Sequence, residues 1–420
     1  MLWVTTKTSP SSFGRLLERE LSGLSRDVLA RLDEVVSTRL LSGVGRQWER
    51  GCQPRDLIHV AGRIDRWAPA LVADVAVEQV DRSDRGALAP QAWRVQLEAA
   101  ADRARSADIG IWSTREDWLA VDRLVMAGVP VLTAWASAIR LLARLHELPP
   151  VAPTLPPPSA WRAEPTEAPP TEAPRTVPPR NGPPRTPGPG TEPSPNRDKV
   201  LSTIRALLAK AESTEFAAEA EALSAKAQAM MTRHAIDEAL LHVGDADSID
   251  VLGRRVLIDS PYPLEKVHLL SAVGRANRTR VVWMEDLAMA TVVGTPVDID
   301  QVELLFVSLL IQSTRAMAEA GAAQTGSFDR SPRFRRSFLT SYAVRIGERL
   351  SAADAETTAS YGSELVPVLR RQEEAVDAAY EQLFPHTREA SSRRTFDRRG
   401  WDAGRQAADR ASFVAGRLAG

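Results

Sequence analysis

The sequence predicts an all-α N-terminal module, a proline-rich disordered linker and an α+β C-terminal module that opens with an α-hairpin. Three observations predict this order. Residues 149–195 hold most of the chain's prolines. Upstream of them, apolar residues recur at spacings of three and four, and no stretch alternates long enough for a strand. Downstream, β-branched runs such as "TRVVWM" and "LAMATVV" sit among helical patterns. At 420 residues the chain is too long for one typical domain.

The helical module covers residues 11–148. Ser25 is placed to cap a long amphipathic helix that ends near Gly51. "QWERGCQPRDLIHVAGR" reads as a helix end, a turn over Gly51–Pro54 and a new helix. The segment after Pro90 sets Trp93, Leu97 and Ala100 on one helical face. "STRE", Ser113–Glu116, is a capping box ahead of another helix. Trp48 and Trp67 are read as helix-packing residues, with a role as binding anchors as the alternative. The longest uncharged run, Leu124–Ile139, is short for a membrane span and contains Pro130, so it reads as a buried helix pair.

The linker spans residues 149–195. Proline lacks an N–H and has a fixed φ, and too few apolar residues remain here to build a core. A semi-rigid polyproline II spacer is expected.

The α-hairpin is assigned to residues 196–242. Val200, Ile204, Leu207, Leu208 and Ala211 form one apolar stripe. Ser213 or Thr214 can cap the second helix, which carries Phe216, Ala220, Leu223, Ala227 and Met230. Arg233 and His234 fall in its last turn, where a cation favours the helix dipole. His234 is therefore read as closing the helix. A metal ligand would need a second histidine close by, and His242 lies eight residues on.

The α+β module covers residues 250–420. "IDVLGRRVLID" is strand-like, Pro263 opens an amphipathic helix, and two β-rich runs flank "ED" as a hairpin. Thr295, Pro296 and Asp298 make a strong helix start, and the helix that follows is apolar on most faces. "RSPRFRRSF", Arg330–Phe338, puts arginines beside Phe334 and Phe338 just ahead of a helix. Arg333, Arg335 and Arg336 are the candidate nucleic-acid-binding residues, with the phenylalanines as stacking surface. Against this, arginine outnumbers lysine about tenfold, as in GC-rich coding, which lowers the weight of any arginine cluster. Gly400, Gly404, Ala408, Ser412 and Gly416 recur every four residues. Glycine costs a helix about 1 kcal/mol against alanine, so this stripe implies close helix-on-helix packing.

Composition removes several function classes. A net charge of −1 gives no global attraction to nucleic acid or membrane. The single cysteine, Cys52, forms no internal disulfide and supports no cysteine-rich zinc site. The start lacks a basic region followed by an apolar core, and a cytoplasmic location is expected. No Gly-rich phosphate loop or Gly-x-Ser-x-Gly motif occurs, and no cofactor or metal is implied.

"KVLSTIRALLAKAEST…EAEALSAKAQAMMTRHAID" resembles the bacterial and phage family called domain of unknown function 2786. The residues that carry the resemblance include Lys199, Leu207, Leu208, Ala211, Glu212, Glu219, Ala220, Lys226, Ala227, Gln228, Met231 and His234. It covers about 40 residues. It implies that the region from about Asp250 is the companion domain that often follows this hairpin. "QWERGCQPRDL" resembles a piece of long actinobacterial members, with Cys52 where tryptophan is usual. The resemblance supplies an architecture and no activity.

Two functions are consistent with these residues. The first is a non-enzymatic adaptor or binding protein, with protein or nucleic acid as its partner. The alternative is a hydrolase acting on nucleic acid, with His268, Asp298, Asp300 and Arg336 as the groups that would have to converge.

Overall fold

The computed structural model describes residues 10–107, 118–162, 199–200, 202–204, 206–207, 210, 226, 230–231, 233–234, 249–322, 331–359, 366–388 and 397–411. It divides into two compact units, Met1–Thr166 with Glu285–Ala288, and the remainder. The Ser113–Glu116 capping box and the greater part of the proline-rich segment lie outside the described residues.

The N-terminal unit is built from α1 (Pro10–Leu21), α2 (Arg26–Glu49), α3 (Pro54–Ala61), α4 (Ala68–Asp81), α5 (Gln91–Ser106), α6 (Ala120–Met126) and α7 (Val131–Glu147). Ser25 caps α2 as expected, its Oγ accepting from the Val28 N–H at 3.4 Å. Asp56 closes the start of α3 by accepting the Gln53 N–H at 2.8 Å. The start of α6 is capped from across the fold. Asp33 on α2 accepts the N–H groups of Val121 and Asp122 at 3.0 and 2.8 Å. Ser37, one turn on, accepts the Ala120 N–H at 2.8 Å. The orphan donors of a short helix are thus satisfied by a longer one. Trp118 donates its ring N–H to Asp74 at 2.9 Å, and Arg123 grips the same carboxylate through two nitrogens.

Trp48 and Trp93 are buried in this core, their rings edge-to-face at 5.4 Å. Trp67 is half-buried at the start of α4, with the Arg66 guanidinium 4.5 Å from its ring centre. Cys52 is buried.

One boundary moves. Residues 149–162, which composition assigns to the linker, pack onto the helical unit. Trp161 is 2% exposed and stacks edge-to-face on Trp93 at 5.2 Å. The Val151 N–H donates to Arg50 O at 3.0 Å. Gly51 makes that approach possible: its φ is +95°, and a Cβ there would lie 2.1 Å from Val151 O. One large aromatic has found an apolar pocket, and the surrounding prolines need no ladder to follow it.

The C-terminal unit is α+β. Strands β1 (Leu252–Leu257), β2 (Arg280–Met284) and β3 (Met289–Gly294) form an antiparallel sheet in the order β1-β3-β2. β3 is central and buried throughout. Around it run α8 (Pro263–Ala276), α9 (Pro296–Ala322), α10 (Pro332–Ala359), α11 (Val366–Leu383) and α12 (Arg398–Arg410). Thr295 caps α9, accepting the Asp298 N–H at 3.3 Å and donating to the Asp298 carboxylate at 2.9 Å.

The described hairpin residues, from Lys199 to Lys210 and from Lys226 to His234, are helical. Ile204 and Met231 are buried among Leu270, Val292, Phe306 and Phe338. Gln301 on α9 donates to the Met231 carbonyl at 3.1 Å. Helices α10 and α12 run side by side with their starts together. The glycine stripe is the reason, as its spacing implies. A Cβ on Gly400 would lie 2.4 Å from Phe334 O, and one on Gly404 would lie 2.2 Å from Phe338 O. Ser412 and Gly416 lie outside the described residues.

Candidate functional site

The four residues of the hydrolase reading fall in different settings. Asp298 is fully buried at the start of α9. Arg278, held at φ +54° in the turn between α8 and β2, lies between Asp298 at 3.5 Å and Asp354 at 3.0 Å. Gln372 on α11 donates to Asp298 at 2.5 Å. Burial pushes the Asp298 carboxyl above its ordinary value, with Arg278 opposing. Burial also works against the Arg278 cation, but Asp298 and Asp354 more than offset it. This cluster ties four elements together inside the fold.

Asp300, two residues on, faces outward and pairs with Arg254 at 2.7 Å, with Glu303 as the second acceptor at 3.1 Å. His268 lines a groove of about 440 Å³ between α8 and α10, with Ser271, Arg275, Thr340 and Glu348. Arg336 is exposed near the start of α10. Among the described residues there is no group of three histidine, cysteine or acidic side chains able to hold a metal ion.

The arginine segment is corrected in two respects. It is helix, because Ser331 caps α10 through the Phe334 N–H at 3.1 Å and Pro332 occupies the first helical position. Arg333, Arg335 and Arg336 thus project from the first two turns of α10. Phe334 and Phe338 are no stacking surface, being 1% and 0% exposed in the core. They belong to a stripe that repeats every four residues through Tyr342, Ile346 and Leu350.

The structure adds two arginines to this region. The start of α12 lies against the start of α10. The Asp397 N–H donates to Ser337 Oγ at 2.9 Å, and Gly400 abuts the Phe334 carbonyl. Arg398 and Arg399, both exposed, therefore stand beside Arg333, Arg335 and Arg336. Neither helix has an acidic residue in its first turn, but the start of α12 is capped by the Asp397 carboxylate, which accepts the Gly400 N–H at 2.8 Å. Helix starts carry partial positive charge, so cations there are disfavoured by about 0.3–1 kcal/mol each. Among the described residues no ion pair is formed by Arg333, Arg335, Arg336 or Arg399. Arg398 reaches Asp402 only at 3.9 Å. Five arginines thus lie in the opening turns of two neighbouring helices, on a chain whose net charge is −1. Sequence reading missed Arg398 and Arg399, although the Gly400 and Gly404 spacing was the signal that two helices approach closely.

In the hairpin, Lys199 and Lys226 are exposed and His234 is half-buried and helical. The imidazole Nδ1 of His234 is buried with no hydrogen-bond partner among the described residues. Glu219, Gln228 and the residues after His234 that would show the helix end lie outside the described residues.

The family model described as "Protein of unknown function (DUF2786)" matches residues 199–238, bearing out the resemblance for that segment. No curated protein matches the chain. No solved structure matches it. No described helix is long and apolar enough to cross a membrane.

Proposed function

We propose that the C-terminal unit is a non-enzymatic binding module for nucleic acid, acting in the cytoplasm, with the phosphate backbone as the group it recognises. The observation that carries this reading is the placement of Arg333, Arg335 and Arg336 on the opening turns of α10, exposed or half-exposed and without an ion-pair partner among the described residues. Guanidinium forks match phosphate oxygens in geometry, and each phosphate neutralised releases condensed counterions. The groups that a hydrolase would need stand in separate settings, with Asp298 committed to a buried structural pair. That favours binding over catalysis.

The test is fluorescence anisotropy of the full chain with labelled single- and double-stranded oligonucleotides at 50 and 200 mM salt. Salt-sensitive binding is expected, weakened about tenfold or more in an Arg333→Ala/Arg335→Ala/Arg336→Ala variant, with the log–log salt slope reduced by about two to three. Absence of binding at the lower salt would remove the proposal and leave protein partners as the remaining reading.

A further inference from the structure

We infer that a bound nucleic-acid strand runs from Arg333 and Arg336 along one face of α10 and through the groove between α8 and α10, ending on Arg275 as a further phosphate contact. The inference rests on the reading above and gives it a path and a length.

Helical periodicity decides which arginines can begin that path. At about 100° per residue, Arg333 and Arg336 lie within about 40° of Thr340 around α10, whereas Arg335 lies about 140° away. Thr340 lines the groove of about 440 Å³, as do Val344, Gly347 and Ser351 further along the same face. The opposite wall is α8, with Ser271, Ala272 and Arg275. Two contacts set the register of the walls. A Cβ on Gly347 would lie 3.3 Å from the Ala272 Cβ, and Arg278, just past the end of α8, pairs with Asp354 at 3.0 Å. Arg275 falls between these two crossings and so comes level with the stretch around Ser351.

Arg275 is exposed and forms no ion pair among the described residues. Glu348, the acidic residue on the groove wall, is held by Arg345 at 2.8 Å and by Arg405 at 3.0 Å, so its charge is offset. The Arg275 guanidinium is left to a phosphate, whose oxygens its fork matches. The hydroxyls of Ser271, Thr340 and Ser351 are donors of the kind that position a phosphate backbone. Arg336 and Ser351 are 15 residues apart. At 1.5 Å per residue the path is about 22 Å long. At about 3.4 Å per stacked nucleotide, roughly six or seven nucleotides cover it.

The experiment is anisotropy of the full chain and four single variants with labelled single-stranded oligonucleotides of 4 and 12 nucleotides. Arg275→Gln is expected to weaken the 12-mer about fivefold at 100 mM salt and to lower its salt slope by about 0.7. The 4-mer is too short to reach from Arg336 to Arg275, and should lose less than about twofold. Val344→Glu puts a negative charge into the groove on a side chain that is 43% exposed, and should likewise weaken the 12-mer and spare the 4-mer. Arg335→Gln, off the path, should cost less than Arg336→Gln. Unchanged 12-mer binding in Arg275→Gln would overturn the inference, and so would equal losses of both lengths or an Arg335→Gln loss as large as that of Arg336→Gln. Failure of the unaltered chain to bind either oligonucleotide would instead strike the reading on which the inference rests.

Discussion

Replacing Gly404 with alanine opposes two effects of known size, and the structure decides between them. On propensity alone the change stabilises a helix by about 1 kcal/mol. At this position the new methyl would lie 2.1 Å from Ser341 Oγ and 2.2 Å from the Phe338 carbonyl oxygen. The serine can rotate, but the carbonyl belongs to the backbone of α10. It can yield only if the two helices part by more than an ångström. Overpacking of this kind costs about 1–3 kcal/mol, to which lost contacts along the α10–α12 seam add. The net expectation is a destabilisation of about 1–2 kcal/mol. Hydrogen–deuterium exchange of peptides from α10 and α12 measures it. Protection should fall about 5- to 30-fold there, while peptides of the N-terminal unit are unchanged. Gly14 is the control: it sits in α1 with nothing within 4 Å, so Gly14→Ala should stabilise its helix slightly. Unchanged or increased protection of α10 and α12 in Gly404→Ala would refute the close-packing argument.

Asp33→Ala removes the acceptor for the Val121 and Asp122 N–H groups and should destabilise the N-terminal unit by about 2–4 kcal/mol, read as a lowered thermal midpoint, with Asp33→Asn retaining part of the loss. Glu348 gives a pH prediction: Arg405 and Arg345 hydrogen-bond its carboxylate and hold it below the ordinary glutamate range. Its contribution is present above that ordinary range and is lost as pH falls through the lowered folded value. Because the group is exposed, the effect should stay below about 1 kcal/mol and shrink in high salt. Denaturation midpoints of Glu348→Gln between pH 7 and pH 3 should lack this component, and an unaltered acid-side slope would count against the pairing.

Much of the architecture was legible from local chemistry. Ser25 and Thr295 with Asp298 mark helix starts because a cap is satisfied within three residues, and Pro263 does so because its fixed φ suits the first helical position. The strands of the 250–294 region announce themselves by β-branched runs bounded by turns. The glycine stripe of α12 is costly for an isolated helix, so its spacing implied a close partner, which proved to be α10. The misreadings share a cause, which is that the deciding partner is distant or another signal was given more weight. Ser331 and Pro332 spell a helix start, and Phe334, Phe338, Tyr342, Ile346 and Leu350 repeat every four residues. The density of arginine nevertheless drew the segment toward a loop with stacking rings. Asp33 caps a helix that begins 87 residues later in the chain, and no local pattern points there. Trp161 sits among prolines whose composition says spacer, and only the Trp48–Trp93 pair that receives it reveals otherwise. The proposed arginine site was half legible: Arg333, Arg335 and Arg336 fall within four consecutive residues, while Arg398 and Arg399 come near them only through the fold.

The pairing of α12 with the first half of α10 also sets a timetable. A ribosome extends the chain by about 5–20 residues each second, so the backbone of α10 around Phe338 waits several seconds for Gly404 to be made. Through that interval the groove that α12 will fill stands open. A chain halted before Arg398 never closes it, and it carries a permanently uncovered seam that chaperones and proteases can grip. The same delay brings Arg398 and Arg399 beside the start of α10 last of all.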